Sequence, residues 1–189
     1  MIDLNRGIEI SPKFLGAYVN RGEVKIRLRD FDGAIVDSDQ AIKLDPRNSS
    51  GFDNRGSARL LKGDPERALG DFNQAIKFNS GNALACANRA KAKEAKGDFS
   101  GAIADCNQAL KLNPRLAVAF GTRGRSKFKQ GDVNGAISDL DLAIQYNPRS
   151  AIAYHDRAEA RQKKGNPVEA EAHLDRAAKL GSLLTYEQF

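Results

Sequence analysis

Small and apolar residues recur along this chain at two distances. Within one stretch their spacing places them on a single face of an α-helix, with polar residues between them. These positions are Ala34, Ile35, Ala41, Ile42 and Leu44. The stretch itself returns every 34 residues, a period typical of helical repeat arrays. Its copies cover residues 34–46, 68–80, 102–114, 136–148 and, more weakly, 170–182.

A second helix-length block precedes each stretch, and a short turn joins the two. The turns contain Gly63-Asp64, Gly97-Asp98 and Gly131-Asp132. Glycine adopts the left-handed conformation after one helix, and aspartate caps the start of the next. Helices joined by so short a turn lie antiparallel, and one hairpin alone cannot bury its apolar face. We therefore predict an all-α chain of stacked antiparallel helix hairpins.

These paired blocks resemble the tetratricopeptide repeat (TPR). The first full copy matches the family pattern of an aromatic residue, small residues and a final proline at Tyr18, Gly22, Ala34, Ala41 and Pro46. The first helices depart from the pattern, because Arg stands in every repeat where the family has Leu, which gives an Asn-Arg-Gly variant. The resemblance implies a right-handed α-solenoid forming one continuous domain. Its parts are the second helix of a truncated leading repeat (1–14), five repeats (15–48, 49–82, 83–116, 117–150 and 151–182) and a short C-terminal tail (183–189).

An arginine and an aspartate each recur at one position of the repeat. The rows are Arg21, Arg55, Arg89, Arg123 and Arg157, and Asp3, Asp37, Asp71, Asp105 and Asp139. Arg21 and Asp37 are each eight residues from Arg29 at the turn, so they lie side by side in an antiparallel hairpin. We predict that each arginine forms a structural ion pair with the aspartate of its own hairpin, shielded from water. A row of anion-binding arginines is the alternative.

Two further features of these rows carry predictions. His173 replaces the aspartate in the last repeat, which predicts that Arg157 is available for another role. A second basic row lies four residues beyond each arginine and has no acidic row to match it. It consists of Lys25, Arg59, Lys93, Lys127 and Arg161. Long aliphatic stems can cover apolar surface while their charges reach water, so we interpret this row as solvated.

The outward face of the first helices carries the residues that vary between repeats. In TPR arrays this face lines a concave groove, so the resemblance implies a peptide-binding groove here. Its central row of amides is similar to the asparagine ladder of the O-GlcNAc transferase superhelix, and amides both donate to and accept from an extended backbone. Solvated surface amides are the alternative. The candidate peptide-binding residues are Asn20, Asn54, Asn88, Thr122, Leu84, Lys91, Val118, Arg125, Phe128, Lys129 and Ile152.

Charge refines this picture. The chain has 189 residues and a net charge of +6, and the surplus is concentrated in repeats three and four. An apolar and cationic groove suits an acidic peptide with apolar anchors. Single-stranded nucleic acid or another polyanion is the alternative ligand, through the basic face of these repeats. Nucleic-acid binders interleave aromatic residues among their cations, and Phe128 is the only aromatic in this cluster, which disfavours that alternative.

Catalysis, cofactors and membranes find little support in the residues. Two histidines and two cysteines provide few ligands for a metal, and no nucleophile is spaced to use either histidine as its base. We predict a non-enzymatic scaffold without cofactor or metal. Cys86 and Cys106 replace aromatic positions on the two helices of one hairpin and are expected to be buried facing each other as small hydrophobic side chains; a disulfide between them under oxidation is the alternative. The opening residues lack a secretory signal and no apolar run is long enough to span a membrane, which predicts a cytoplasmic location.

The two ends of the array show apolar residues without partners. Ile2, Leu4, Ile8 and Ile10 belong to a helix whose hairpin partner is absent, and only a short segment containing Leu184 and Phe189 follows the fifth repeat. Stacked repeats expose apolar faces at uncapped ends. We therefore predict either a fragment of a longer array or end-to-end self-association.

Overall fold

A computed structural model describes the backbone of residues 2–186 and the side chains of residues 3–181. Every regular element in this part of the chain is an α-helix. The helices are α1 (Ile2–Ile10), α2 (Leu15–Arg27), α3 (Phe31–Leu44), α4 (Ser49–Leu61), α5 (Pro65–Phe78), α6 (Ala83–Ala95), α7 (Phe99–Leu112), α8 (Ala117–Lys129), α9 (Val133–Tyr146), α10 (Ala151–Lys163) and α11 (Pro167–Tyr186). The all-α prediction is confirmed.

The turns within the hairpins form by the local chemistry that the sequence predicts. Gly63 has a φ of 85°, and the N–H of Asp64 donates across it to the carbonyl of Arg59 at 2.9 Å, which closes α4. The Asp64 side chain then accepts from the N–H of Arg67 and caps α5. Arg29 occupies the equivalent left-handed position in the first hairpin, with a φ of 62°. A residue with a Cβ is strained there, whereas glycine is not.

The helices group into two compact units, residues 1–96 and 97–189. The first unit contains α1 to α6 and the second contains α7 to α11. In each unit antiparallel hairpins stack so that first helices lie against first helices, as α2 does against α4 and α8 against α10. Alanines such as Ala34 and Ala68 are fully buried where helices cross. Small side chains let the helix axes approach closely, which explains why 27 alanines occur in the chain.

Glycines at one first-helix position differ in how much space surrounds them. At Gly22 an added Cβ would meet no atom closer than 3.6 Å. At Gly56 it would lie 2.8 Å from the ring of Phe72, which is fully buried. At Gly22 the glycine only lowers helix propensity, whereas at Gly56 close packing against Phe72 requires a residue without a Cβ.

The last helix extends beyond the repeat boundary drawn from the sequence. The fifth repeat is predicted to end at residue 182, whereas α11 continues to Tyr186. The first four residues of the predicted tail are thus helical in their backbone. The side chains of Leu184 and Phe189 lie outside the described residues.

Candidate functional site

The arginine and aspartate rows meet inside the hairpins. Arg21 donates from Nε and Nη2 to the two carboxylate oxygens of Asp37, at 2.8 and 2.6 Å. Arg123 binds Asp139 in the same bidentate way, at 2.9 and 2.6 Å. Arg55 likewise donates to Asp71, with a shortest distance of 2.7 Å. The three aspartates are at most 3% exposed. These arginines form structural ion pairs with buried aspartates, so their charges are already neutralised within the protein.

The second basic row reaches the same aspartates, so its interpretation as a solvated row is wrong. Lys25 Nζ lies 2.9 Å from Asp37 Oδ2, and Lys127 Nζ lies 2.8 Å from Asp139 Oδ2. Arg59 makes the corresponding contact with Asp71 at 2.7 Å. The physical reason is helical geometry: a residue four positions after the arginine lies one turn further along the same helix face. Asp37, Asp71 and Asp139 therefore each bind two cations.

The two cations decide the ionisation of the buried carboxylate. Burial raises the pKa of the Asp37 carboxyl, but the hydrogen bonds and charges of Arg21 and Lys25 outweigh burial and hold that pKa below its ordinary value. Asp37 is ionised at neutral pH as a result.

Each arginine also joins its hairpin to the preceding one. Arg55 Nη1 donates to Asp39 Oδ1 of the preceding second helix at 2.7 Å. The same nitrogen makes the equivalent bond in the other repeats at 2.6 to 2.9 Å. The donor–acceptor pairs are Arg21 with Asn5, Arg89 with Asn73, Arg123 with Asn107 and Arg157 with Asp141. The sequence carries this signal as a third row of period 34, two residues after the aspartates, which the analysis of the first two rows missed.

Arg157 is accordingly not available for another role, contrary to the prediction made from His173. It donates from Nη1 to Asp141 at 2.6 Å, and its Nη2 lies 3.1 Å from His173 Nδ1. Burial and the neighbouring charges of Arg157 and Arg161 lower the pKa of His173. The imidazole is thus neutral at physiological pH and accepts from Arg157 through Nδ1.

The asparagine row is partly used to connect neighbouring first helices. Asn54 Nδ2 donates to the carbonyl of Val19 at 2.9 Å, and Asn88 Nδ2 donates to Asp53 Oδ1 at 3.1 Å. Asn88 Nδ2 also donates to Ser57 Oγ at 3.4 Å, so both of its N–H groups are used, whereas Asn54 keeps one N–H. Neither Oδ1 has a partner among the described residues, so both amides offer an acceptor to a ligand. Asn20 is exposed. The row therefore differs both from a complete donor–acceptor ladder and from a row of solvated amides.

Asp53 is a buried carboxylate that the sequence analysis did not single out. It is 8% exposed, and burial raises its pKa, while Asn88 and the charge of Lys91 act in the opposite direction. Lys91 is therefore offset by a carboxylate of the neighbouring first helix. Asp53 directly precedes Asn54 of the asparagine row. Its contact with the next repeat could not be predicted from sequence, because it depends on how neighbouring first helices cross.

Thr122 occupies the same row but does not reach the surface. It is 1% exposed, and its Oγ1 has no hydrogen-bond partner among the described residues. A threonine side chain is shorter than an asparagine and stays close to its own helix. The structure thus removes Thr122 from the residues that a partner can contact.

The cationic candidates on α8 are divided by their neighbours. Arg125 Nη1 donates to Asp156 Oδ2 of α10 at 3.2 Å, so its charge is offset. Two lysines instead lie near the Phe128 ring: the ammonium groups of Lys129 and Lys163 are 5.9 and 5.8 Å from its centroid. Neither lysine has a carboxylate partner in the described part of the chain. We call Phe128, Lys129 and Lys163 the Phe128 patch.

A pocket of about 110 Å³ lies beside this patch and is lined by both signs of charge. Its lining residues are Arg125, Phe128, Lys129, Leu140, Asp156 and Glu159. Glu159 and Asp156 also come together with His155, and one potential ligand atom of each lies within 4.8 Å of the others. The sequence analysis did not group these three residues. Asp156 is already bound to Arg125, whose positive charge opposes a cation at this position.

The apolar candidates have separate surroundings. Leu84 on α6 is 47% exposed and Val118 on α8 is half-buried. Ile152 on α10 is 64% exposed and lines a groove together with Leu174 of α11, a second-helix residue. Cys86 and Cys106 are both buried, as expected.

Comparison with known proteins identifies the repeat. Sequence models described as tetratricopeptide repeat match residues 15–48 and 83–116 in one case and residues 122–183 in another, more than half of the chain together. The chain belongs to the tetratricopeptide-repeat family. As a member of this family it is a protein–protein interaction scaffold, and TPR proteins are generally not enzymes. A search of curated proteins found no match.

Solved TPR structures share the fold at low identity. MamA is 24% identical with a TM-score of 0.67, over 87% of this chain and 96% of MamA. YrrB, described as a TPR protein with an unusual peptide-binding site, is 18% identical with a TM-score of 0.63, over 98% of both chains. A chain of the APC/C hetero-tetramer Cut9–Hcn1 is 14% identical with a TM-score of 0.88, over 96% of this chain and 36% of its own length. Among the described residues of this TPR chain, no helix has the length and apolar character needed to cross a membrane.

Proposed function

We propose that this TPR chain binds an acidic segment of a partner protein, with apolar anchor residues, on the outward face of its first helices. The observation that carries the proposal is the Phe128 patch. Carboxylates of the segment meet the ammonium groups of Lys129 and Lys163, and an apolar side chain packs on the Phe128 ring. The small neighbouring pocket receives a side chain of limited size.

The first-helix face of the first unit, taken by itself, offers acceptors and an apolar contact to a segment of the same kind. The Oδ1 atoms of Asn54 and Asn88, which have no partner among the described residues, accept from backbone N–H groups of an extended segment, and the remaining N–H of Asn54 donates to it. Leu84 supplies exposed apolar area beside them. YrrB, which shares the fold, is described as having a peptide-binding site, and this supports the class of ligand.

Nucleic acid is the competing ligand, and the contacts of the basic residues count against it. Arg123 and Lys127 are bound to Asp139, and Lys96 is paired with Glu66. Cations that are paired inside the protein release few counterions when a polyanion binds. An unpaired patch with a single aromatic ring suits one acidic segment better than a run of stacked bases.

The test compares three fluorescein-labelled probes by anisotropy: a peptide of alternating Glu and Leu, the same peptide with Lys for Glu, and an oligothymidine. We expect only the acidic peptide to bind. The double variant Lys129→Glu with Lys163→Glu should weaken the affinity for this peptide by about tenfold or more. The matched control is Lys111→Glu with Arg115→Glu. These residues carry the same charge, are exposed, and form no side-chain ion pair among the described residues.

Two results would contradict the proposal. One is an equal loss of binding in the control pair, which would mean that total charge and not the Phe128 patch attracts the peptide. The other is tighter binding of the oligothymidine, which would favour nucleic acid. End-to-end self-association stays a separate prediction, and light scattering of the intact chain at several concentrations tests it.

A further inference from the structure

Asp53 of α4 is a buried carboxylate whose two oxygens have unequal surroundings. Its Oδ1 accepts from Asn88 Nδ2 of α6 at 3.1 Å. No described residue donates to Oδ2, and this oxygen keeps contact with solvent. The residue as a whole is only 8% exposed. One oxygen of a buried carboxylate therefore opens to the surface between α4 and α6 without a donor among the described residues.

The repeat does not require a carboxylate at this position. Where Val19 stands one repeat earlier, Asn54 donates to its backbone carbonyl at 2.9 Å and so connects the same pair of first-helix positions. A backbone oxygen is thus sufficient for the contact between first helices, and that contact does not explain the Asp53 side chain. The equivalent residues in the other repeats are Val19, Ala87, Gly121 and His155.

The carboxylate also costs stability. Burial raises the pKa of Asp53, and the hydrogen bond from Asn88 and the charge of Lys91 offset burial only in part. Asp53 has no direct ion pair with a described residue. A buried charge without such a partner destabilises the folded chain, so stability does not explain the choice of residue. Residues that break a local rule in this way are characteristic of functional sites.

The neighbouring amide supplies a second acceptor in a fixed orientation. Both N–H groups of Asn88 are used, by Asp53 Oδ1 at 3.1 Å and by Ser57 Oγ at 3.4 Å. The oxygen and nitrogen of one amide are about 2.3 Å apart, so Asn88 Oδ1 lies within about 5.4 Å of Asp53 Oδ1. Asn88 Oδ1 has no partner among the described residues. Two acceptors, one of them charged, therefore lie close together and await donors.

We propose that Asp53 and Asn88 bind the side chain of an arginine in an extended segment of a partner protein. A guanidinium is a planar cation that only donates hydrogen bonds, so it meets the carboxylate and the amide oxygen together. Leu84 lies one helical turn before Asn88, is 47% exposed, and packs against the aliphatic stem of the arginine. A lysine has all its donors on one atom and matches two separate acceptors less well.

The arginine site is separate from the Phe128 patch. It lies in the first unit, whereas the patch lies in the second and is cationic. Helix α4 contacts the first helix on either side of it, α2 and α6, so the site is not an open end of the array. Binding of an arginine here does not depend on binding of an acidic segment at the Phe128 patch.

The probes are three capped, fluorescein-labelled peptides of Ser and Leu that differ at one central position, which is Arg, Lys or citrulline. Citrulline keeps the shape of arginine but carries no charge. We expect saturable binding of the Arg peptide in an anisotropy titration and weaker binding of the Lys peptide. The citrulline peptide should bind about tenfold more weakly or less, because its hydrogen bond to Asp53 lacks the cationic donor.

Asp53→Asn is the matching change in the protein, since it removes the charge and keeps the size. It should weaken the Arg peptide by about tenfold and leave the citrulline peptide nearly unchanged. Glu9→Gln is the control, because Glu9 is exposed, carries the same charge, and has no ion pair among the described residues. Thermal unfolding checks that both variants fold. Asp53→Asn leaves the Phe128 patch intact, so the acidic-peptide assay should give the wild-type result and separates failure of one site from failure of the other.

Four results would overturn the arginine site. The first is no saturable binding of the Arg peptide at concentrations up to about 1 mM. The second is a citrulline or Lys peptide that binds as tightly as the Arg peptide. The third is an Arg peptide whose affinity Asp53→Asn leaves unchanged. The fourth is equal weakening by Asp53→Asn and Glu9→Gln, which would mean that total charge attracts the peptide.

Discussion

The buried carboxylates make the most direct test of how this TPR chain is held together. Asp71 is 3% exposed and accepts from Arg55 and Arg59, with shortest distances of 2.7 Å to each. Asp71→Ala leaves two guanidinium groups in the hairpin without their carboxylate, and removing one partner of a buried pair costs about 3–5 kcal/mol. Because the two arginines keep 18% and 22% exposure, water reaches them, and we expect the lower end, about 3 kcal/mol.

For a chain of this length that loss corresponds to a fall in melting temperature of roughly 6–12 °C by circular dichroism. Asp39→Ala is the control: Asp39 binds the same Arg55 but is 52% exposed, so its loss should cost about 0–1 kcal/mol. Combining Asp71→Ala with Arg55→Ala should cost less than the sum of the two single changes, because the pair is lost only once. Additive losses, or an Asp71→Ala variant no less stable than Asp39→Ala, would refute a structural ion pair.

Further predictions concern single positions and are measured by thermal unfolding. Gly22→Ala should stabilise the chain by about 1 kcal/mol through helix propensity, whereas Gly56→Ala should destabilise it by about 1–3 kcal/mol through overpacking; equal effects would contradict the spacing described above. Arg29→Gly should raise stability by roughly 1 kcal/mol, because it relieves the left-handed backbone, and no gain would argue against strain there. His173→Asp should be more stable at pH 7. Burial and two arginines lower the pKa of His173 in the folded state, so its protonation favours the unfolded chain. The free energy of unfolding of the wild type, but not of His173→Asp, should therefore fall as pH falls below the ordinary value of 6.5. Parallel pH profiles of the two proteins would contradict this. Asp53→Asn should be stabilising at pH 7, because burial raises the pKa of Asp53 and the folded chain keeps a buried negative charge at a cost in free energy. The gain in stability should shrink as pH falls towards 3.8. A gain that is independent of pH would exclude this cause.

The helix boundaries were accessible from sequence because they depend on local chemistry. Glycine at the left-handed position and aspartate at the N-cap act within a few residues of each other, as Gly63 and Asp64 do. The period of 34 residues then places Arg21 beside Asp37, since equal distance from a turn is a property of any antiparallel hairpin. Lys25 shows the limit of this reasoning. Lys25 lies one helical turn beyond Arg21 and contacts the same Asp37 carboxylate. This contact is missed when each basic row is expected to have an acidic row of its own.

The surface available to a partner was harder to predict, because it depends on how neighbouring first helices cross. Lys91 and Arg125 have the residue type of a ligand-binding cation, yet Asp53 and Asp156 on adjacent helices offset their charges. Thr122 shares a row with amides but is buried. None of these neighbours is set by the repeat period, since each contact joins different positions of successive repeats.

The sequence by itself determined the repeat, the hairpins, their caps and the family, because short-range spacing and backbone preference carry that information. Tertiary structure decided which charges remain for a partner. Stacking turns the second basic row and the asparagine donors inward, and it leaves Lys129 and Lys163 around Phe128 without carboxylates among the described residues. The net charge of +6 describes the whole chain, whereas a partner meets only those charges that neighbouring helices do not neutralise.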